Sequence, residues 1–151
     1  MNIQENLKPT GLVKIVHSNA MGETVQEFEV PNLVVTTGKQ HIAAKIAATT
    51  NSPVAMTNMA IGTGSTSPTS ADTQLGTEAG RVALTNTGVS TNTITYTATF
   101  GAGTGTGAIT EAGIFNSGSA GSGTMLCRTT FPAVNKASGD SIAITWVVTV
   151  S

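Results

Sequence analysis

Three charged residues carry the most definite chemistry in this chain: Glu111, Arg81 and Arg128. Glu111 stands in AITEAGIF, and the stretch before it, Val82 through Thr110, holds no Asp, Glu, Lys, Arg or His. In a strand Ile109, Glu111, Gly113 and Phe115 share one face, which sets the carboxylate on an apolar surface. Burying it bare costs on the order of several kcal/mol. Arg81 and Arg128 are the only arginines, and a guanidinium presents a donor fork that matches a carboxylate. Glu111 and one of these arginines are therefore expected to form a structural ion pair, within one subunit or across an interface.

Other residue types offer less. His17 and His41 are the only histidines and Cys127 the only cysteine. That excludes an intramolecular disulfide and a cysteine-based zinc site, and packed or solvated histidines are expected. Cys127 alternates with Met125, Thr129 and Phe131, the pattern of a buried thiol; a nucleophile needs a positioned base, and none is identifiable. Glycoside hydrolysis needs two carboxylates across a cleft. Glu111, Glu78 and Asp72 are the nearest candidates, yet only Glu111 falls in a regular element. Gly103-x-Gly105-x-x-Ala108 imitates a dinucleotide fingerprint, but that motif must open a helix, and AITEAGIF reads as a strand. Gly62-x-Gly64 lacks both the P-loop lysine and a helix. No catalytic residue, cofactor or metal ligand is expected, and the chain reads as a non-enzyme.

Composition narrows the partners. Of 151 residues only 10% are charged and the formal net charge is −1, against roughly 25% charged in ordinary globular chains. So little positive charge leaves scant counterion-release energy for a phosphate backbone, which disfavours nucleic acid, and none is expected as a partner. The opening MNIQENLK lacks the basic and apolar regions of a secretory signal. No apolar run approaches the ~20 residues of a membrane helix, so no membrane partner is expected and synthesis is placed in a cytoplasm.

The elements that must position these residues are mostly strands. Ser141–Ser151 (SIAITWVVTVS) puts Ile142, Ile144, Trp146, Val148 and Val150 on one face. So apolar a strand belongs in the middle of a sheet, since an exposed apolar edge invites aggregation. Thr91–Phe100 alternates Ile94, Tyr96, Ala98 and Phe100 inward against threonines outward. Further strands are predicted at Gly11–His17, Glu23–Val30, Asn32–Thr36, Met59–Gly62, Arg81–Thr85, Ala108–Asn116 and Thr124–Phe131, the last ended by Pro132. Thr63–Gln74 reads as a long surface loop. One helix is predicted at about 38–48, with Thr37 and Gln40 as a capping box and Ile42 and Ile46 as its apolar stripe; Lys39 and Lys45 face away. Short glycine links between strands imply antiparallel pairing. The fold class is mainly β: an antiparallel β-sandwich or jelly-roll-like domain over 11–151 with one short helix, preceded by an extended N-terminal arm, 1–10. Met1, Asn2, Ile3, Leu7 and Pro9 are its expected contact residues.

GLVKIVHSNAMGETVQEFEVPNLVVTTGKQHIAAKIA, MAIGTGSTSPTSADTQLGTEAGR, ATFGAGTGTGAITEAGIFN and GTMLCRTTFPAVNKASGDSIAITWVVTV together cover almost all of the chain past residue 10. They resemble structural proteins of tailed bacteriophages. The resemblance implies a place in the virion and no active site. The reading taken first is a capsid decoration (cement) protein, a homotrimer that binds the major capsid protein and stabilises the shell. Its alternative is a tail fibre-tip or baseplate module that binds tail proteins and the host surface; no coiled-coil heptads or shaft repeats are present, but Ser117–Gly123 suits a receptor-binding tip. A carbohydrate-binding module is a third reading, weakened by the single Trp and single Tyr.

Overall fold

The computed structural model describes residues 8–47 and 52–151. Ten strands and one helix follow in the order β1 (Pro9–Ser18), β2 (Thr24–Pro31), β3 (Leu33–Val34), α1 (Thr36–Ala47), β4 (Asn58–Gly62), β5 (Glu78–Ala83), β6 (Asn86–Ser90), β7 (Thr93–Phe100), β8 (Gly107–Phe115), β9 (Met125–Lys136) and β10 (Ser141–Val150). Two five-stranded sheets result, ordered β2-β1-β10-β7-β6 and β3-β9-β8-β4-β5. All their pairings are antiparallel. Their inner faces share one core of alternate side chains, with Val13, Ile144, Trp146 and Phe100 from the first sheet against Met59, Ile61, Ile109 and Ile114 from the second. This is a β-sandwich, and each fully buried Ile, Phe or Met contributes about 1.5–3 kcal/mol by leaving water.

β10 occupies the centre of its sheet, as its apolar stripe requires. Ile142, Ile144, Trp146 and Val148 are all buried. Both of its flanks are paired, to β1 and to β7. β7 sends Tyr96, Ala98 and Phe100 into the core, in the phase read from its alternation.

Other expectations are corrected. β1 begins at Pro9, so Pro9 and Thr10 belong to the sheet and not to an arm; Met1, Asn2, Ile3 and Leu7 lie outside the described residues. Pro132 does not end its strand, because β9 runs on to Lys136. The β8–β9 register jumps between Ile109↔Val134 and Glu111↔Thr130. Pro132 falls inside this bulge, where a missing N–H removes no ladder bond. β6 was not foreseen, and Thr91, read as part of the next strand, turns out to sit in the β6–β7 turn with φ of 52°.

The helix starts at Thr36, and its capping box does not form. Lys39 N–H bonds to Val35 O at 3.0 Å, while the Thr37 hydroxyl donates to Met125 O on β9 at 3.0 Å. The helix docks through Gly38, where a Cβ would collide with the Leu126 carbonyl. Its buried residues are Gly38 and His41. Ile46, expected in the apolar stripe over the sheet, is 72% exposed.

Candidate functional site

The second sheet carries a long loop, residues 63–77, on its outer face, and Glu111 is the peg that holds it. Glu111 stands on β8 opposite Thr130, and Arg128 on β9 opposite Gly113, so the two are diagonal neighbours across the ladder. Glu111 Oε2 accepts from Arg128 Nη2 at 2.8 Å and Nε at 3.1 Å. Three backbone N–H groups of the loop converge on the same carboxylate: Gly64 and Thr77 on Oε1 at 2.9 and 2.8 Å, and Gly76 on Oε2 at 2.9 Å. Gly62-x-Gly64 thus brings backbone close to an anion after all, and the anion is the chain's own carboxylate. A Cβ on Gly64 would collide with Glu111 Oε1.

Arg128 spends its remaining donors on the same loop. Nη1 bonds to Asp72 Oδ2 at 2.8 Å and Nη2 to Thr66 O at 2.9 Å. Asp72 in turn accepts from Thr69 N–H at 3.0 Å and from its hydroxyl at 2.8 Å. Leu75 from the loop packs into a small second core with Phe115, Met125, Val35 and Ala60. Burial pushes the Glu111 carboxyl upwards, but the N–H groups of Thr77 and Gly76, the Arg128 guanidinium and the Gly64 N–H outweigh it and hold it below the ordinary value. Asp72 follows the same pattern: burial raises it, and Thr69 and Arg128 more than compensate.

Arg81 does not meet Glu111. It forms a two-pronged pair with Glu78, with Nε–Oε1 and Nη2–Oε2 both at 2.8 Å. Its Nη1 donates to Ser117 O and Ser122 O at 2.9 and 3.0 Å, and the guanidinium lies 3.9 Å from the centroid of the Phe115 ring. Each arginine therefore clamps one loop: Arg128 the 63–77 loop, Arg81 the glycine–serine loop between β8 and β9. Sequence reasoning weighed Glu78 and Asp72 only as hydrolytic acids and missed them as arginine partners. The signal available was count: two arginines in so uncharged a chain must each find buried acceptors.

A third polar cluster closes the β9–β10 turn. His17 Nε2 and Asp140 Oδ2 lie 2.8 Å apart, and Asp140 also accepts from Ala137 N–H at 2.9 Å. These bonds hold the Asp140 carboxyl below its usual range. Lys136, buried beside them, donates to Gly101 O at 2.8 Å. Cys127 is fully buried, and burial pushes its thiol well above the usual value.

The other end of the sandwich is built differently. Between α1 and the first sheet opens a cleft of about 230 Å³. His41, Lys45 and Ile46 of α1 face Ile94, Tyr96, Val148 and Val150 of the first sheet across it. Ile46, Val54 and Val89 are exposed apolar side chains; Ile46 lines the cleft, Val54 precedes its wall residue Ala55, and Val89 is the register partner of its wall residue Ile94. His41 is buried and its Nδ1 has no hydrogen-bond partner among the described residues. Burial, then the charge of Lys45, lowers its pKa below 6.5.

A family model described as phage tail-collar fibre protein, N-terminal, matches residues 26–151, from within β2 to the last residue. No curated protein and no solved structure matches the chain. The matched family belongs to the tail, so it favours the tail alternative over capsid decoration, for which nothing in the match speaks.

Proposed function

The chain belongs to the phage tail-collar fibre proteins, and from that premise we propose that it serves as a non-enzymatic structural component of the virion tail. The observation that carries this reading is the match over residues 26–151. The charge chemistry supports it. Glu111, Glu78 and Asp72 are each bound by an arginine. A general acid needs a carboxyl held above its normal value near the working pH, and Glu111 and Asp72 are held below it. These charged groups organise loops.

In this role the protein works through surface contact with other tail proteins and with copies of itself. A rigid sandwich whose two long loops are clamped by buried arginines presents a fixed surface, which lowers the ordering cost of association. Immunogold labelling of intact particles with antibody against this protein tests the reading. Gold confined to the tail is expected; gold over the capsid, or none on purified particles, overturns it.

A further inference from the structure

We propose that the free edge of β6 pairs antiparallel with the β6 edge of a second copy of this chain, joining two five-stranded sheets into one. The inference specifies the self-contact of the tail reading. Its test uses the isolated protein, so its failure leaves the tail assignment standing.

Two open sheets have four edge strands, here β2, β6, β3 and β5. An unpaired edge offers its backbone N–H and C=O groups to another strand unless something blunts it. Three of the four are blunted. β2 carries Glu27 and Glu29 and ends in Pro31, and its register with β1 shifts between His17 and Ser18. β3 is two residues long. β5 carries Glu78 and Arg81, and its register with β4 shifts between Ile61 and Gly62. β6 has none of these defences. Asn86–Ser90 holds no charge and no proline, and it runs against β7 in unbroken register. Among the described residues β7 is its only strand partner. Every second residue of such a strand turns its N–H and C=O away from the neighbour it already has.

The sequence of β6 selects a second copy as the occupant. About a two-fold axis at Gly88, antiparallel pairing sets Gly88 opposite the partner's Gly88, Thr87 opposite the partner's Val89, and Asn86 opposite the partner's Ser90. Thr87 and Val89 stand on the face of Tyr96 and Ile94, while Asn86, Gly88 and Ser90 share the face of Thr97, Thr95 and Thr93. A two-fold axis normal to the sheet keeps each face on its own side. β-Branched side chains then meet on one face and short polar ones on the other, cross-strand pairs of the kind that stabilise a sheet. No like charges oppose one another, and the two glycines leave the axis open for close approach. Val89, 75% exposed in the single chain, gains a side-chain neighbour. Such a contact is isologous and closes on itself. The paired strand is short, so the association is reversible.

Cysteine at Gly88 tests the axis directly. A Cβ there meets only Asn86 Nδ2, at 4.0 Å, so the substitution fits. Directly opposite residues have Cα atoms about 4.5–5.5 Å apart, within reach of a disulfide. Cys127 is fully buried and stays out of the reaction. Under mild oxidation Gly88→Cys is expected to give several-fold more linked dimer than Thr99→Cys, a control at an exposed position of β7. Equal yields overturn the proposal. Sedimentation supplies the second measurement. Thr87→Lys with Val89→Lys sets like charges opposite each other twice and is expected to weaken dimerisation roughly tenfold. Thr87→Lys with Val89→Glu sets opposite charges there and retains the dimer. A parent chain that stays monomeric at every concentration, or two charge variants that dimerise alike, also overturns the assignment.

Discussion

The two ends of this molecule treat charge and apolar surface in opposite ways. On the outer face of the second sheet, every buried charged group has its partners. Glu111 takes five donor contacts, and Arg128 and Arg81 spend their forks on carboxylates and loop carbonyls. At the α1 end a buried histidine nitrogen lacks a partner among the described residues and aliphatic side chains face water. The first arrangement stabilises a shape. The second leaves an aliphatic cleft between α1 and the first sheet.

The difference can be broken most strongly at Arg128. Arg128→Met leaves Glu111 buried without its counter-charge and is expected to lower stability by about 3–5 kcal/mol, read from chemical denaturation, while the native mass of the assembly stays unchanged. Loss of the assembly in a variant that still folds would mean that the clamped face is itself an interface. Arg81→Lys keeps the charge but loses the fork on Glu78 and the stacking on Phe115. A loss of about 1–3 kcal/mol is expected, with faster proteolysis in the 117–124 loop. Thr37→Val removes the hydroxyl bond to Met125 O and is expected to cost about 0.5–1.5 kcal/mol, seen as weaker hydrogen-exchange protection in α1.

Acidity separates the same two regions. Glu111 and Asp72 have folded-state values below their unfolded ones, so their contribution is complete above the unfolded carboxyl range near 4 and is lost as pH falls through the lower folded values. The amides of Gly64, Gly76 and Thr77 should lose exchange protection only in that acid window. The His41 value is also depressed. Its neutral form is the stabilising one, so that contribution is complete above pH 6.5 and declines below it, well before the carboxylates respond. His41→Phe should flatten the stability profile between pH 7 and 5 and leave the acid limb intact.

Several elements were legible because their information is local. β10 and β7 show a strict two-residue alternation, and burial follows it residue by residue. The need of Glu111 for an arginine was legible too, from residue type and the surrounding absence of charge. The choice of arginine was not, because two register shifts govern it. Simple alternation puts Ile109 on the face of Glu111, but the bulge between them sends Ile109 into the main core and Glu111 under the loop. Alternation likewise sets Glu78 and Arg81 on opposite faces. The shift between Ile61 and Gly62, where Gly62 faces Glu78 and Ile61 faces Gly80, lets them meet.

The covering of the helix shows the same limit. Ile42 and Ile46 have the spacing of an apolar stripe, yet α1 docks through Gly38, the point where its backbone can approach β9 most closely. Gly38, Ile42 and Ile46 lie four apart on the same face; Ile42 packs against the main core, and Ile46, in the last turn, is left exposed.

By itself the sequence determined a two-faced β architecture, a charge-poor surface, an inert buried thiol and a carboxylate in need of a guanidinium, since each follows from residue type and from spacing within one segment. Only the tertiary structure decided which arginine clamps which loop, that Gly62-x-Gly64 cradles the chain's own Glu111, and that an apolar cleft forms between α1 and the first sheet among the described residues. Those outcomes depend on bulges and on the closest approach of distant backbones, and a bulge shifts the facing of every residue beyond it without leaving a mark in the local pattern.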